Sequence, residues 1–196
     1  MRVRLVYSKR GGACFVPHIA LAQIFARSAV RAGFRPEMTQ GYSPRARLSF
    51  APELPAGVVA LNEAADMYFA DATNFSEDAM NAALPEGFSI SEVLFPSENS
   101  PSLGKSCKHS EYLIRNTHSL NILDTAKNFY NSAVLKAEYI DDWLRLILHD
   151  PAQNPIGSFV KHMIAENLIA GWHEMNIVRK SIGIYDSEKD CVSIHA

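Results

Sequence analysis

The stretch from Thr39 to Phe50, TQGYSPRARLSF, holds the residues best suited to grip a charged ligand. Gly41, Ser43 and Pro44 make a turn, and beyond it Arg45 and Arg47 stand two residues apart, which on an extended strand turns both guanidiniums to one side. A planar guanidinium meets phosphate oxygens in pairs, and Tyr42 beside the arginines is placed to stack on a base. Arg2 and Arg4 extend the same surface if the outer face of the first strand is open. Lys9, Arg10, Gly11 and Gly12 form a basic loop ahead of a helix, a setting in which backbone N–H groups hold an anion, although neither the dinucleotide-binding nor the P-loop glycine pattern is present. The plainer reading of these arginines is a solvated edge that keeps sheets from pairing with one another.

His18 opens the first predicted helix close to that loop, as a general base or as a donor to a bound phosphate. No carboxylate stands beside it to orient the ring, which favours a capping or core-edge role. Tyr7, Lys9 and Arg47 would complete a pocket around it. Farther along, His162, Glu166 and His173 fall on one stripe of a late predicted helix, because steps of four and seven residues return to nearly the same face. Zinc is the candidate metal there, but the spacing is not HExxH and surface helices carry such residues toward water. Cys14, Cys107 and Cys191 make no CxxC or iron–sulfur pattern, so no cofactor is expected in the chain. Trp143 and Trp172 read as packing residues.

The composition is that of a folded protein, with 47% hydrophobic and 20% charged residues in a chain of 196. The net charge of −2 hides an asymmetry: residues 1–50 hold nine basic groups against one acid, Glu37, a balance of +8 that leaves −10 for the rest. Such a split draws phosphates or acidic partners to one end. No apolar run approaches the roughly 20 residues needed to span a bilayer, and the odd, scattered cysteines suit a reducing compartment, so a cytoplasmic protein without a membrane partner is expected.

The elements that must position these groups follow from periodicity. Arg2 to Lys9 alternates as a half-buried strand, with Val3, Leu5 and Tyr7 on one face and Arg2, Arg4 and Ser8 on the other. Leu21, Ile24, Phe25, Ser28 and Ala32 give a helix from Pro17 to Ala32 capped by Gly33, with Gln23, Arg27 and Arg31 as a polar stripe. Strands near Arg47–Ala51 and Ala65–Ala70, a helix Ser76–Leu84 and a strand Ser89–Phe95 complete a βαββαβ order. Pro96 to Ser106 has the composition of a linker. The order then recurs: strand Glu111–Arg115, helix Leu120–Ala133, strands Leu135–Ile140 and Trp143–Leu148 joined at Asp141-Asp142, a helix from an Asn154–Pro155 start to about Ala170, and a strand Ile177–Ile184. This predicts an α+β protein of two tandem ferredoxin-like domains with antiparallel sheets: a basic domain 1–96, a linker 97–106 and an acidic domain 107–196.

The segments RVRLVYSKRGGACFVPHIALAQIFARSAVRAG and TQGYSPRARLSFAPELPAGV resemble the radical SAM-linked protein family, a bacterial domain family of uncharacterised function whose members occur fused to or beside radical SAM enzymes. The resemblance covers residues 2–95 and, more weakly, LRLILHDPAQNPIGSFVKHMIAENL. Its matching positions are Tyr7, Ser8, Lys9, Phe15, His18, Gln40, Gly41, Pro44, Arg47, Leu48, Ser49, Phe50 and Gly57. Where the family usually has His-Leu-Asp, this chain has His18, Ile19 and Ala20, so the carboxylate beside the histidine is missing. The resemblance implies a radical SAM enzyme as partner more than it implies an activity.

These readings converge on a noncatalytic binding module that holds RNA or another phosphate-bearing substrate, as an accessory to a separate radical SAM enzyme. Arg2, Arg4, Lys9, Arg10, Tyr42, Arg45 and Arg47 would bind the anion. The alternatives are an adaptor whose basic face docks an acidic protein and an RNA-processing or RNA-modifying enzyme that uses His18.

Overall fold

In the computed structural model, which describes residues 1–72, 74–118 and 120–195, the alternating run Arg2–Lys9 forms strand β1 as expected, but nearly every residue of it is buried. A half-buried strand was predicted because alternation marks polar side chains without showing what covers them. Val3, Leu5 and Tyr7 pack beneath helix α1 (His18–Arg31), whose buried side is Leu21, Phe25, Ser28 and Ala29. Pro17 occupies the N-cap position of α1. The helix stops where expected because Gly33 takes φ 88°, which allows Phe34 N–H to donate to Ala29 O at 2.8 Å and Gly33 N–H to Val30 O at 3.1 Å.

Strand β2 (Leu48–Phe50), strand β3 (Val59–Tyr68), helix α2 (Glu77–Ala83) and strand β4 (Phe88–Leu94) finish the first half. The Ser76 hydroxyl caps α2 by accepting from Ala79 N–H at 3.2 Å. The second half holds strand β5 (His109–Asn116), helix α4 (Leu123–Tyr130), strands β6 (Val134–Ile140) and β7 (Trp143–His149), helix α5 (Ile156–Ala165), strand β8 (Met175–Asp186) and a short strand β9 (Cys191–Ser193). Between the halves the linker-like stretch contains helix α3 (Leu103–Ser106), and it is tied down: Arg2 donates to the carbonyls of Ser97, Ser100 and Pro101. Asp141, at φ 53°, turns β6 into β7 as its position predicted.

The result is a mixed α+β fold with a large, mostly antiparallel sheet and five α-helices among the described residues. The strands do not form two separate sheets. They run β4-β1-β3-β8-β5-β7-β6, with β2 on β3 and β9 on β8. The halves meet where β3 and β8 pair in parallel through Val59↔Val178 and Ala60↔Arg179. Because β2 is short and pairs only with residues 65–67 of β3, the first residues of β3 are left open to β8.

One core packs α1 and α2 on the first half, and a second packs α4 and α5 on the second half, with Leu54, Val58 and Ala60 of the first half buried inside it. A smaller cluster, Ala51, Ala64, Leu103, Cys107 and Ile182, lies on the other side of the sheet, since Ala64 faces away from Ala65 and Met67. No helix among the described residues is long and apolar enough to cross a membrane.

Candidate functional site

The expected anion-binding residues divide by what surrounds them. Arg4 is fully buried and clamps Asp66, with Nε to Oδ1 at 2.7 Å and Nη2 to Oδ2 at 3.0 Å, and it also donates to the carbonyls of Pro101 and His195. The outer face of β1 is therefore closed, and Arg2 and Arg4 are not part of an open basic surface. A buried guanidinium needs a carboxylate and carbonyl acceptors, and the chain supplies both. Lys9 is 3% exposed and so adds nothing to a surface track either. Arg47 stacks over Tyr68 at 4.0 Å and pairs with Glu37 at 3.2 Å, whereas Arg45 turns toward α1. The two arginines precede β2 instead of sharing a face of it. Arg10, Tyr42 and Arg45 remain available, Tyr42 with its ring wholly in solvent.

Residues 37–47 form a hairpin: Arg47 N–H donates to Glu37 O at 2.7 Å, Thr39 N–H to Arg45 O at 2.7 Å, and Arg45 N–H to Thr39 Oγ1 at 3.1 Å. Gly41, at φ 123°, lies near its tip. This hairpin and the outer side of α1 enclose a groove of about 730 Å³. Ile19, Ala22, Ala26 and Val30 of α1 face Met38, Pro44 and Ala46 of the hairpin, and Gln23, Arg27, Arg31 and Arg45 rim them. Among the described residues no carboxylate lines the groove. Arg31 is anchored to Ala83 O at 2.6 Å, while the guanidiniums of Arg27 and Arg45 have no partner among the described residues. The polar stripe of α1 was legible in the sequence. The apolar stripe next to it, with Ile19 88% exposed, was not singled out, although its spacing of 19, 22, 26 and 30 carries the signal.

A second polar cluster lies under the helices at the junction of the halves. Tyr7 is paired with Glu63 across β1 and β3, Lys9 with Ala60, Ala60 with Arg179, and Arg179 with Tyr112, so these side chains share one face of the sheet. Arg179 is 1% exposed; it donates Nε to Glu63 Oε1 at 2.6 Å and Nη2 to both Glu63 Oε2 and Pro52 O. Burial drives the Tyr7 hydroxyl well above its ordinary pKa, with the Glu63 carboxylate adding to the effect, and burial pulls the Lys9 ammonium down. His18 sits at the margin against the Phe50 ring, its pKa lowered by burial. Of the pocket expected around His18, Tyr7 and Lys9 are here and Arg47 is not. Glu63 and Arg179, which complete the cluster, were not anticipated, since each reads in sequence as an ordinary charged strand residue.

The late histidine stripe is broken. Helix α5 ends at Ala165 because Asn167 takes φ 55° and Leu168 N–H donates back to Met163 O at 2.9 Å, so His173 belongs to a separate turn. The Asn154 side chain donates to His149 O and Asp150 O instead of capping the helix, and Pro155 takes the N-cap position. His162 stacks on Phe129, and His173 lies 3.9 Å from Glu174. Among the described residues no group of three or more histidine, cysteine or acidic side chains is placed to hold a metal.

No curated protein matches the chain. Among solved structures, the first two RRM domains of the yeast poly(U) binding protein Pub1 align at 12% identity over 90% of this chain and 97% of that one, with a TM-score of 0.24, a likeness too slight to bear on the site. Neither comparison carries a link to radical SAM enzymes. The family match is broader: residues 2–148 fit the DUF2344 model, described as an uncharacterized protein conserved in bacteria, and the chain belongs to that family.

Proposed function

We propose that this chain is a noncatalytic docking module whose groove between α1 and the 37–47 hairpin takes an acidic, amphipathic segment of a partner protein. The observation that carries the reading is the pairing of an apolar floor with an arginine rim that no carboxylate offsets. An amphipathic segment would bury its apolar side on Ile19, Ala26, Val30 and Met38 and bring its acids to Arg27 and Arg45, in the manner of helix-in-groove recognition. The α1 stripe from Ile19 to Val30 spans eleven residue steps, about 16 Å, or roughly three turns of a bound helix. A radical SAM enzyme is the partner that the sequence resemblance implies, in a cytoplasmic setting.

In this reading the two halves, 1–96 and 107–196, are tandem ferredoxin-like units joined by 97–106. The strand orders β4-β1-β3-β2 and β8-β5-β7-β6 support that description. RNA binding is the second reading, favoured by the fully exposed Tyr42 beside Arg45. A phosphate track needs several free cations in line, and Arg2, Arg4, Lys9 and Arg47 are occupied or buried.

Fluorescence anisotropy separates the two. A labelled 12-residue peptide with leucines on one helical face and glutamates on the other should bind in a salt-sensitive way, and Val30→Asp should weaken it at least tenfold. Arg27→Ala/Arg45→Ala should weaken it several-fold and flatten the salt dependence. Binding of oligo(U), but not of the peptide, with loss in Tyr42→Ala/Arg45→Ala, would replace docking by RNA recognition. Binding of neither probe removes both readings.

A further inference from the structure

The polar cluster at the junction of β3 and β8 has more donors than acceptors. Arg179 Nη1 is buried and makes no hydrogen bond of its own, although the other nitrogens of the same guanidinium are engaged and the Tyr112 hydroxyl lies within reach of the group. Both oxygens of Glu63 are taken by Arg179. Lys9 Nζ reaches only Val16 O, at 3.4 Å, and the Tyr7 hydroxyl has no partner among the described residues. Val16 stands two residues before α1, a helix of fourteen residues whose first turn has no side-chain cap and no acidic residue. Buried donors in native proteins are nearly always satisfied, so Arg179 Nη1, the guanidinium nitrogen left open, calls for an acceptor, and Lys9 and Tyr7 lie within electrostatic reach of that guanidinium.

We infer that this cluster binds a small oxyanion, a phosphate or a carboxylate, held by Arg179 Nη1, Lys9 and Tyr7 at the start of α1. Two cations facing one fully used carboxylate leave the cluster positive, and the free N–H groups of the helix start add to that field. Glu53 is the other acid within electrostatic reach of His18 at the margin, and the Cys14 thiol, the ionisable neighbour of Lys9, donates to Lys9 O. The anion would also brace the junction, because Lys9 and Tyr7 belong to the first half and Arg179 to the last long strand. This site is separate from the groove: none of its residues lines it.

The test is thermal unfolding of the full chain in inorganic phosphate or acetate against chloride at equal ionic strength, with phosphorus NMR line width as the direct readout of phosphate. A specific oxyanion raises Tm saturably, by about 5–10 °C once it reaches a hundred times its Kd. Lys9→Met should abolish most of the rise, and Tyr7→Phe should weaken apparent affinity several-fold while keeping the ring in the core. Response to phosphate alone, to acetate alone or to both identifies the group recognised, each outcome supporting the site. A Tm that follows ionic strength regardless of anion means that water serves these donors and overturns it. So does a phosphate response that Tyr7→Phe leaves untouched, a measurement that stands even if Lys9→Met fails to fold.

Discussion

The arginines of the first fifty residues show how far side-chain type alone misleads about role. Arg4 and Arg47 look equivalent in sequence, yet Arg4 is sealed against Asp66 and Arg47 lies half in solvent over Tyr68 and Glu37. Alternation correctly put Arg4 and Val3 on opposite faces. It could not report the cover, which comes from Asp66, Pro101 and His195, far away along the chain. Removing one member of a buried pair leaves the other charge unpaired and costs about 3–5 kcal/mol, whereas exposed pairs contribute about 0–1 kcal/mol. Asp66→Asn should therefore lower unfolding free energy in urea by about 3–5 kcal/mol, and Glu37→Gln by no more than about 1 kcal/mol. Equal losses for the two would contradict the assignment of Asp66 as the counter-charge of a sealed guanidinium.

At the level of elements, strong periodicity and turn chemistry carried the most information. β1, the Gly33 end of α1 and the Asp141 turn all fall where the sequence placed them, while α5 stops early because Asn167 accepts a left-handed backbone that the apolar pattern beyond it does not reveal. The groove is a similar case: α1 was legible, but its exposed apolar stripe acquires meaning only when the 37–47 hairpin folds against it. Charge ties β5, β6 and β7 to one another and to Asp190, the residue just before β9. Glu138 lies directly opposite Arg145, which also reaches Glu111 and Asp190. Lys136, then Arg145 and Tyr185, hold the Asp190 carboxyl below its ordinary range, and Lys136 and Arg145 do the same for Glu138. Burial pushes Glu111 up, but Lys180 and Arg145 outweigh it and leave it low. Each of these carboxyls is more acidic folded than unfolded, so the unfolded chain takes up protons first as pH falls. Their stabilisation is complete above the ordinary carboxylate values of about 4 and is lost as pH drops through the lower folded values. The urea midpoint should decline from pH 5 toward pH 2.5, less steeply in Asp190→Asn. An identical decline in the variant would show that Asp190 takes no part.

Across the whole molecule, the repeated βαββαβ order was readable because each half repeats the same switches of period, from two to 3.6 and back. The merger of the halves was not. It rests on two residue pairs between β3 and β8 and on the short reach of β2, none of which leaves a signature in composition. Its energetic weight is nonetheless large. Leu54, Val58 and Ala60 of the first half are buried in the core of the second, and Glu63 of the first half neutralises Arg179 of the second. A chain cut between the halves would expose those apolar side chains and strand a buried charge on each side. The two halves should therefore unfold together. Trp143 and Trp172 both lie in the second half, so their fluorescence reports that half alone, while far-UV circular dichroism reports both. Urea transitions followed by the two signals should coincide in midpoint and slope. Glu63→Gln, which removes the counter-charge of Arg179, should shift both curves to lower urea by the same amount. A fluorescence transition displaced from the circular dichroism transition would mean that the halves are independent domains and that the shared strand pairing contributes little to holding them together.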